Sequence, residues 1–300
     1  MTIRPALSVI VPTYQGAQRI MNTLGSLEKQ TFRDFEVIVV IDGSTDDTKT
    51  RVQQASFRFP LLVHEQPNKG RAGARNAGAA LAQAHALIFL DDDLTFDDSL
   101  LKKYEALADQ GHPIAVGSAY AVPVKERDEF FHFAEYLNTK WESGLAKATR
   151  EVLKKPYLNA QNCLIRRDVF ELLGGFDDRL RDAEDFALAV AAFEKKIPIL
   201  LDAEIRVGHH LQPDFKTYAR RLVEYQNARQ ALAQLMPAAN HYMTTQVQRS
   251  RAKTTFYKMV SAQAWIDLVD KGLFMILPRA LRFRIYDLLL TAYSVTRVVT

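Results

Sequence analysis

The chain has one cysteine, Cys163, in 300 residues, so it cannot close an internal disulfide or build a cysteine-based metal site. A buried structural thiol is the expectation. No stretch reaches the roughly 18 uninterrupted apolar residues of a membrane-spanning helix. GLFMILP stops at Pro278, and IYDLLLTAYSV is interrupted by Asp287. The start, MTIRPALSVIVP, lacks a basic segment followed by a long apolar stretch and a small-residue cleavage site, so it is not read as a signal peptide. Linkers rich in Gly and Ser, low-complexity tracts and internal repeats are also missing. With 48% hydrophobic and 25% charged residues, the composition excludes a disordered or fibrous chain and can bury a full core.

What is present is a rhythm of short apolar runs and helical stretches. LSVIVP at Leu7–Pro12, a helix near Ala17–Lys29, EVIVVID at Glu36–Asp42, a helix near Asp46–Phe57 and LLVHE follow one another as βαβαβ. Runs that are apolar on both faces suit parallel strands covered by helices, which predicts an α/β fold with a doubly wound, mostly parallel sheet. An Ala-rich helix at Gly73–Gln83 and a strand ALIFLDDD at Ala86–Asp93 repeat the unit. Further strands are expected around Ile114–Val124 and Leu158–Ile165, with helices at Asp168–Leu173 and Glu184–Lys195. A last strand, IPILLDAEIRVGHH, ends in His209 and His210. Beyond Pro213 the strand signal stops, and Tyr218–Leu235, Val247–Leu268 and Leu281–Val295 read as helices. The organisation is therefore a sheet domain over residues 1–214 and a helical extension over 215–300.

The net charge of +4 hides an uneven distribution. From Phe215 to Thr300 there are 13 Lys and Arg against 4 Asp and Glu, net +9, which leaves −5 for the first 214 residues. RSRAKTTFYKMV and LPRALRFRIYDLLLTAYSV interleave basic with aromatic and aliphatic residues, as a helix lying on an anionic membrane does. The competing reading is that these helices only pack their apolar faces on the catalytic domain. Nucleic acid is not expected as a partner, because no reading motif is present and the basic residues alternate with long apolar ones.

In sheets of this kind ligands bind beyond the carboxyl ends of the strands, so acids placed where apolar runs stop carry weight. Asp42 and the run Asp91-Asp92-Asp93 are such acids. On an extended strand Asp91 and Asp93 would share a side while Asp92 points away. Carboxylates this close repel unless a cation lies among them, and hard oxygen ligands suit Mg²⁺ or Mn²⁺ bridging to phosphate. The alternative is a solvated acidic loop. DDDLT also satisfies the DxDxT motif of haloacid-dehalogenase-type phosphatases, which would make Asp91 a nucleophile. That family places its motif on the first strand, whereas several βα units precede it here.

PNKGRAGARNAG at Pro67–Gly78 sets glycines, Arg71 and Arg75 where a loop enters a helix, an arrangement suited to an anionic phosphate. A close helix–sheet contact permitted by glycine is the other reading. Asp185 follows Glu184 at a helix start, where a carboxylate either stabilises the helix or serves as a general base. His209 and His210 could complete a metal's coordination or be satisfied polar residues.

Taken in order, SVIVPTYQGAQRIMNTLGSLEKQTFRDFEVIVVIDGSTDDT, PNKGRAGARNAG, LIFLDDD and NAQNCLIRRDVFELLGGFDDRLRDAEDFAL resemble the family 2 glycosyltransferases of the GT-A fold. The resemblance runs from about Leu7 to Arg221. It implies an inverting, metal-dependent enzyme that moves a sugar from a nucleotide-diphosphate sugar, with uridine diphosphate favoured. The acceptor would be a hydroxyl of a glycan or lipid-linked molecule, in cell-surface polysaccharide or glycolipid synthesis. Carried over by position, Pro12, Thr13 and Tyr14 would line the nucleotide pocket and Asp42 would bond the base. Arg75 would lie near base or diphosphate, and Asp91 would reach the nucleoside. Asp93 would bind a divalent cation, Mn²⁺ or Mg²⁺, with His209 or His210 as a further ligand. Asp92 would be the variable middle position. Asn162 and Glu184 would lie on the acceptor side, and Asp185 would be the catalytic base. Where the family carries two acids before the glycine of the second strand, this chain has Ile41-Asp42, so only the acid assigned to the base remains. The stretch Pro123–Pro156, with Phe130, Phe131, Phe133, Tyr136 and Trp141, is expected to carry acceptor contacts, although an aromatic stripe more often packs in a core, so no single residue is assigned to the acceptor. The implied location is the cytoplasm, with the inner face of the cell membrane as a peripheral site. A non-catalytic sugar-nucleotide binder is the remaining alternative.

Overall fold

The computed structural model describes residues 4–122, 129–145, 148–210, 214–243 and 251–297. The chain divides into two compact units, Met1–Val122 with Trp141–His210, and Pro123–Lys140 with Leu211–Thr300. Residues 129–140 therefore group with the C-terminal helices and not with the sheet.

The first unit follows the βα rhythm: β1 (Leu7–Thr13), α1 (Ile20–Glu28), β2 (Phe35–Asp42), α2 (Thr48–Gln54), β3 (Leu61–Gln66), α3 (Gly70–Leu81) and β4 (Ala86–Leu90). There follow β5 (Leu94–Phe96), α4 (Leu100–Asp109), β6 (Ile114–Ala121), α5 (Glu129–Leu145), which the division splits after Lys140, β7 (Arg150–Val152), β8 (Asn162–Arg166), α6 (Arg167–Leu173), α7 (Glu184–Glu194) and β9 (Ile199–His209). The sheet order is β3-β2-β1-β4-β8-β6-β9-β5, with β7 beside β9. The first four strands are parallel, as the both-faced apolar runs predict. Beyond them the sheet is mixed, because β8 runs antiparallel to both β4 and β6.

The alternation along each strand explains the two cores. Leu7, Val9, Val11, Val37, Val39, Ile41, Ile88 and Leu90 join one apolar cluster with Ile20, Leu24 and Leu27 of α1. Ile10, Ile38, Val40, Leu87 and Phe89 join a second with α3 and α7 residues. A period of two on strands covered on both sides produces this division. Gly78 lets α3 approach closely, since a Cβ there would meet Ile10 Cγ2 at 2.4 Å. Cys163 lies buried in the second cluster, where burial pushes its thiol well up.

Several boundaries differ from expectation for local reasons. The strand expected to reach Asp93 stops at Leu90, and the three acids form the turn into β5. The strand expected from Leu158 starts at Asn162, because the Asn159 side chain accepts from the Gln161 N–H and turns the chain there. Strands β5 and β7 were too short to leave a periodic signal. Positions 123–124, expected to continue β6, lie outside the described residues.

The second unit holds residues 129–140 of α5, α8 (Phe215–Leu235), a short 3₁₀ turn at Pro237–His241, α9 (Arg251–Val260), α10 (Gln263–Asp270) and α11 (Arg279–Thr296). The helix expected over Val247–Leu268 is broken at Ser261-Ala262, where Ala262 is extended and Arg297 Nη1 donates to the Ser261 carbonyl at 2.6 Å. The start of that expected helix lies outside the described residues. An aromatic core of Phe130, Phe133, Phe215, Phe283 and Tyr286 holds the unit together. Phe130 and Phe133 thus take the core reading of the aromatic stripe, with Tyr136 packed against them.

Candidate active site

Parallel pairing brings the carboxyl ends of β1, β2 and β4 to one edge, with Thr13 opposite Ile41 and the acid turn after Leu90. At that edge Asp42 is buried, and its Oδ1 accepts from Gln66 Nε2 at 2.7 Å and from the Lys69 N–H at 2.8 Å. Gly43, at φ +73°, permits this closure, because a Cβ would meet the Asn68 N at 2.7 Å. Pro12 is half-buried, Thr13 is buried and Tyr14 is 50% exposed, an open ring beside a sealed segment.

The three acids diverge, since a turn and not a strand carries them. Asp91 Oδ1 takes Arg75 Nη2 at 2.8 Å. Asp92 accepts from Thr13 Oγ1 at 2.5 Å and Arg19 Nε at 2.8 Å. Asp93 Oδ2 lies 3.1 Å from His209 Nε2. Thr23 locks the turn, its Oγ1 accepting from the Leu94 N–H at 2.9 Å. The side-by-side placement of Asp91 and Asp93 expected from strand alternation is therefore replaced by three separate attachments.

Arg75 is buried on α3, and its guanidinium also gives Nη1 to Glu184 Oε1 at 2.7 Å while lying over the Phe176 ring. Burial opposes its charge, but Asp91 and Glu184 outweigh burial and raise its pKa. Burial likewise pushes the Asp91 carboxyl up, and the Arg75 charge overcomes it, so Asp91 is held below the usual range. Arg71 pairs with Asp182 at 3.2 Å on the same side.

Asp185 sits in the first turn of α7 behind Ala183, whose left-handed φ of +68° is unusual for a residue with a side chain. Its Oδ1 accepts from the Phe186 N–H at 2.7 Å. Burial and the neighbouring Glu184 charge push its pKa up to about 6, against the pull of Arg75 and Arg71. It is therefore a carboxylate poised to take a proton near neutral pH.

The two residues expected on the acceptor side are both buried and bonded internally. Asn162 is fully buried, its Nδ2 donating to the Ser118 and Ile205 carbonyls and its Oδ1 accepting from Tyr104 at 2.7 Å. Every hydrogen-bonding group of that amide is spent inside the sheet. Glu184 is buried against Arg75 and orients it, with no open face for an acceptor. Of the two histidines, His209 faces Asp93, while the His210 ring turns to Thr95 Oγ1 at 3.0 Å. Arg19 was missed by sequence reading; a partly exposed arginine on a loop gives no signal before its buried partner Asp92 is known.

A divalent cation fits Asp93 and His209. Asp93 Oδ1 is buried with no hydrogen-bond partner, and Oδ2 already faces an imidazole. For His209, burial disfavours the charged ring, but Asp93 outweighs it and the pKa is raised. Among the described residues no three His, Cys, Asp or Glu side chains form a ready-made cage. One or two protein donors completed by phosphate and water is the arrangement Mg²⁺ ordinarily takes.

Residues 8–174 match the family described as glycosyl transferase family 2, and the chain belongs to that family. It is 46% identical over 91 residues to validoxylamine A glucosyltransferase of Streptomyces hygroscopicus subsp. jinggangensis, a match covering 29% of this chain and 22% of that protein. It is 29% identical over 229 residues to the amylovoran biosynthesis glycosyltransferase AmsB of Erwinia amylovora, covering 70% of this chain and 71% of that one. The chain thus spans about a fifth of the length of the first relative. Among solved structures it is similar to the mannosyltransferase PcManGT of Pyrobaculum calidifontis in complex with GDP-Man and Mn²⁺. That likeness has a TM-score of 0.61 and 19% identity, and covers 98% of this chain and 87% of that one. The fold is the GT-A fold expected from the sequence. The phosphatase alternative loses its footing, since DDDLT follows the fourth strand and the Asp91 carboxylate is tied to a buried arginine.

Proposed function

We propose that this chain transfers a sugar, with inversion, from a nucleotide-diphosphate sugar to an acceptor hydroxyl on a glycan or lipid-linked molecule. UDP-sugars are the favoured donors, and synthesis of cell-surface polysaccharide or glycolipid is the setting. One observation carries the reading. Arg75 joins Asp91, in the acid turn after β4, to Glu184 on α7, so one buried cation links a donor-side acid to the immediate neighbour of Asp185.

Asp185 accepts the acceptor's proton as that oxygen attacks the anomeric carbon opposite the departing nucleotide. Asp42 and the Pro12–Tyr14 segment hold the nucleoside, and Arg75 fixes Asp91 beside it. Asp93 and His209 would hold a divalent cation, whose chemistry is to neutralise charge growing on the departing diphosphate. Family membership and the Mn²⁺ in the PcManGT complex support a divalent cation. No helix among the described residues is long and apolar enough to cross a membrane. The basic helical unit supports peripheral contact with the inner face of the cell membrane.

The test is Mn²⁺-dependent release of nucleoside diphosphate from a panel of sugar nucleotides, with a phosphomonoester as control. A metal-dependent signal with one donor, lost in Asp93→Ala, is expected. Phosphomonoester cleavage without donor turnover would overturn the proposal.

A further inference from the structure

The second unit presents an apolar tip that its own core does not use. Between α10 and α11 the chain runs Lys271-Gly272-Leu273-Phe274-Met275-Ile276-Leu277-Pro278-Arg279 through a series of turns. Leu273 is 47% exposed, Met275 51% and Ile276 91%. Phe274, between them, turns inward and packs its ring against Tyr286 in the aromatic core.

The loop is held from inside. Arg282, only 9% exposed on α11, donates through Nη1 to the Leu277 carbonyl at 2.7 Å and to the Met275 carbonyl at 3.3 Å. The other side of its guanidinium is gripped by Glu129, with Nε to Oε1 at 2.8 Å and Nη2 to Oε2 at 3.2 Å. A buried ion pair that spends its remaining donors on loop carbonyls fixes the backbone in one shape. Leu273, Met275 and Ile276 are therefore displayed on a loop whose carbonyls Arg282 holds.

Charge identifies the occupant. Exposed Lys271 and Arg279 bracket the tip along the chain and exposed Arg284 follows in the second turn of α11, in a region that carries 13 Lys and Arg against 4 Asp and Glu from Phe215 onward. Of the nearby acids, Asp267 accepts from Gln263 and Asp270 from the Phe215 N–H, so both are engaged within the helices. An apolar point with a cationic collar matches a surface with an apolar interior and anionic headgroups.

We propose that Leu273, Met275 and Ile276 form a preformed wedge that inserts into an anionic lipid surface, with Lys271, Arg279 and Arg284 on the headgroups and the Arg282–Glu129 pair holding the wedge in shape. This deepens the reading of the helical unit as membrane-facing by naming the inserting residues. It requires no assumption about the sugar or the donor.

The experiment is sedimentation of the full chain with vesicles of phosphatidylcholine alone and of phosphatidylcholine with phosphatidylglycerol, at two salt concentrations. The parent, Ile276→Asp and the double variant Met275→Ser with Ile276→Ser are compared, with far-ultraviolet circular dichroism and native mass measured on each. The expected result is binding of the parent to the anionic vesicles only, weakened by salt. Binding of both variants should fall at least about tenfold with unchanged helicity, since each removes an inserted apolar side chain. If the parent binds neither vesicle, the membrane reading and the wedge fall together. If the parent binds anionic vesicles and the variants bind equally well, the membrane reading stands and the wedge is wrong. A parent that is dimeric without lipid, with monomeric variants, would assign the tip to a second copy of the chain and overturn the proposal.

Discussion

Thr13 Oγ1 donates to Asp92 Oδ2 at 2.5 Å, joining the end of the first strand to the middle acid of a turn 79 residues further on. Arg19 completes the join, giving Nε to Asp92 Oδ1 at 2.8 Å and Nη2 to the Tyr14 carbonyl at 2.8 Å. Burial, with the Asp93 charge, raises the Asp92 pKa, and these two partners oppose that rise. The middle acid, which faces neither donor nor cation in the sequence reading, fixes the segment that would line the nucleotide pocket to the turn that would hold the metal.

Breaking that join should therefore loosen the donor site without touching the proposed chemistry. Thr13→Val and Asp92→Asn should each cost about 1–3 kcal/mol of stability, the usual cost of stranding a buried polar partner. Donor affinity should fall, while turnover at saturating donor stays close to the parent's. Thermal unfolding together with donor titration checks this. Unchanged affinity in both variants would show that the join serves stability alone.

As the proposed base, Asp185 should set the acid limb of the activity profile. The competent form of a general base is the carboxylate, and this one is raised to about 6 by burial and by Glu184. Activity should then drop as pH falls through about 6, two units above an ordinary aspartate. Glu184→Gln removes the neighbouring negative charge and leaves Arg75 facing Asp185 with one counter-charge fewer. Both changes favour the carboxylate, so the acid limb should move to lower pH. Asp185→Asn should lose about 10²–10⁴-fold in transfer, the usual contribution of a positioned base, with donor affinity nearly intact. A pH profile of kcat/KM for all three proteins reads each part.

Much of this site was legible as a set of strand ends. The parallel half of the sheet follows from apolar runs such as Val37–Ile41, and the acids that end those runs lie at the edge where ligands bind. What could not be read was direction. Whether Asp91, Asp92 and Asp93 alternate depends on the strand continuing, and Thr23 ends it through a hydrogen bond to Leu94 that no local pattern announces. The same limit hid Arg75 as a link between two acids 93 residues apart, and left the aromatic stripe around Phe130 and Phe133 undecided between core and acceptor contact. An aromatic run reads alike whether it meets a ligand or packs against helices further along the chain.

The unpartnered Asp93 Oδ1 gives a metal prediction with a graded outcome. Asp93→Ala should abolish the Mn²⁺ dependence of donor binding. His209→Ala should weaken it while leaving a measurable response, because the carboxylate remains. His210→Ala should behave like the parent, its ring being turned to Thr95. Donor titration calorimetry with and without Mn²⁺ separates the three. A larger loss in His210→Ala than in His209→Ala would reverse the assignment of the ligand.

Asn162 distinguishes a structural amide from an acceptor contact. Its side chain ties β6, β9 and Tyr104 together, accepting once and donating twice, and it lies at 0% exposure beside the register shift between Gly117 and Ser118. Asn162→Ala strands the Tyr104 hydroxyl and two carbonyls, so stability should fall by about 2–4 kcal/mol, at the upper end for buried polar losses. Asn162→Asp keeps the acceptor toward Tyr104 but sets an oxygen against the Ser118 and Ile205 carbonyls, and should be equally damaging. For an acceptor contact, the loss would appear instead as a raised acceptor KM in a protein of parental stability. Thermal unfolding and acceptor kinetics on the same preparations decide between the two, and the burial of the amide places the effect in the unfolding curve.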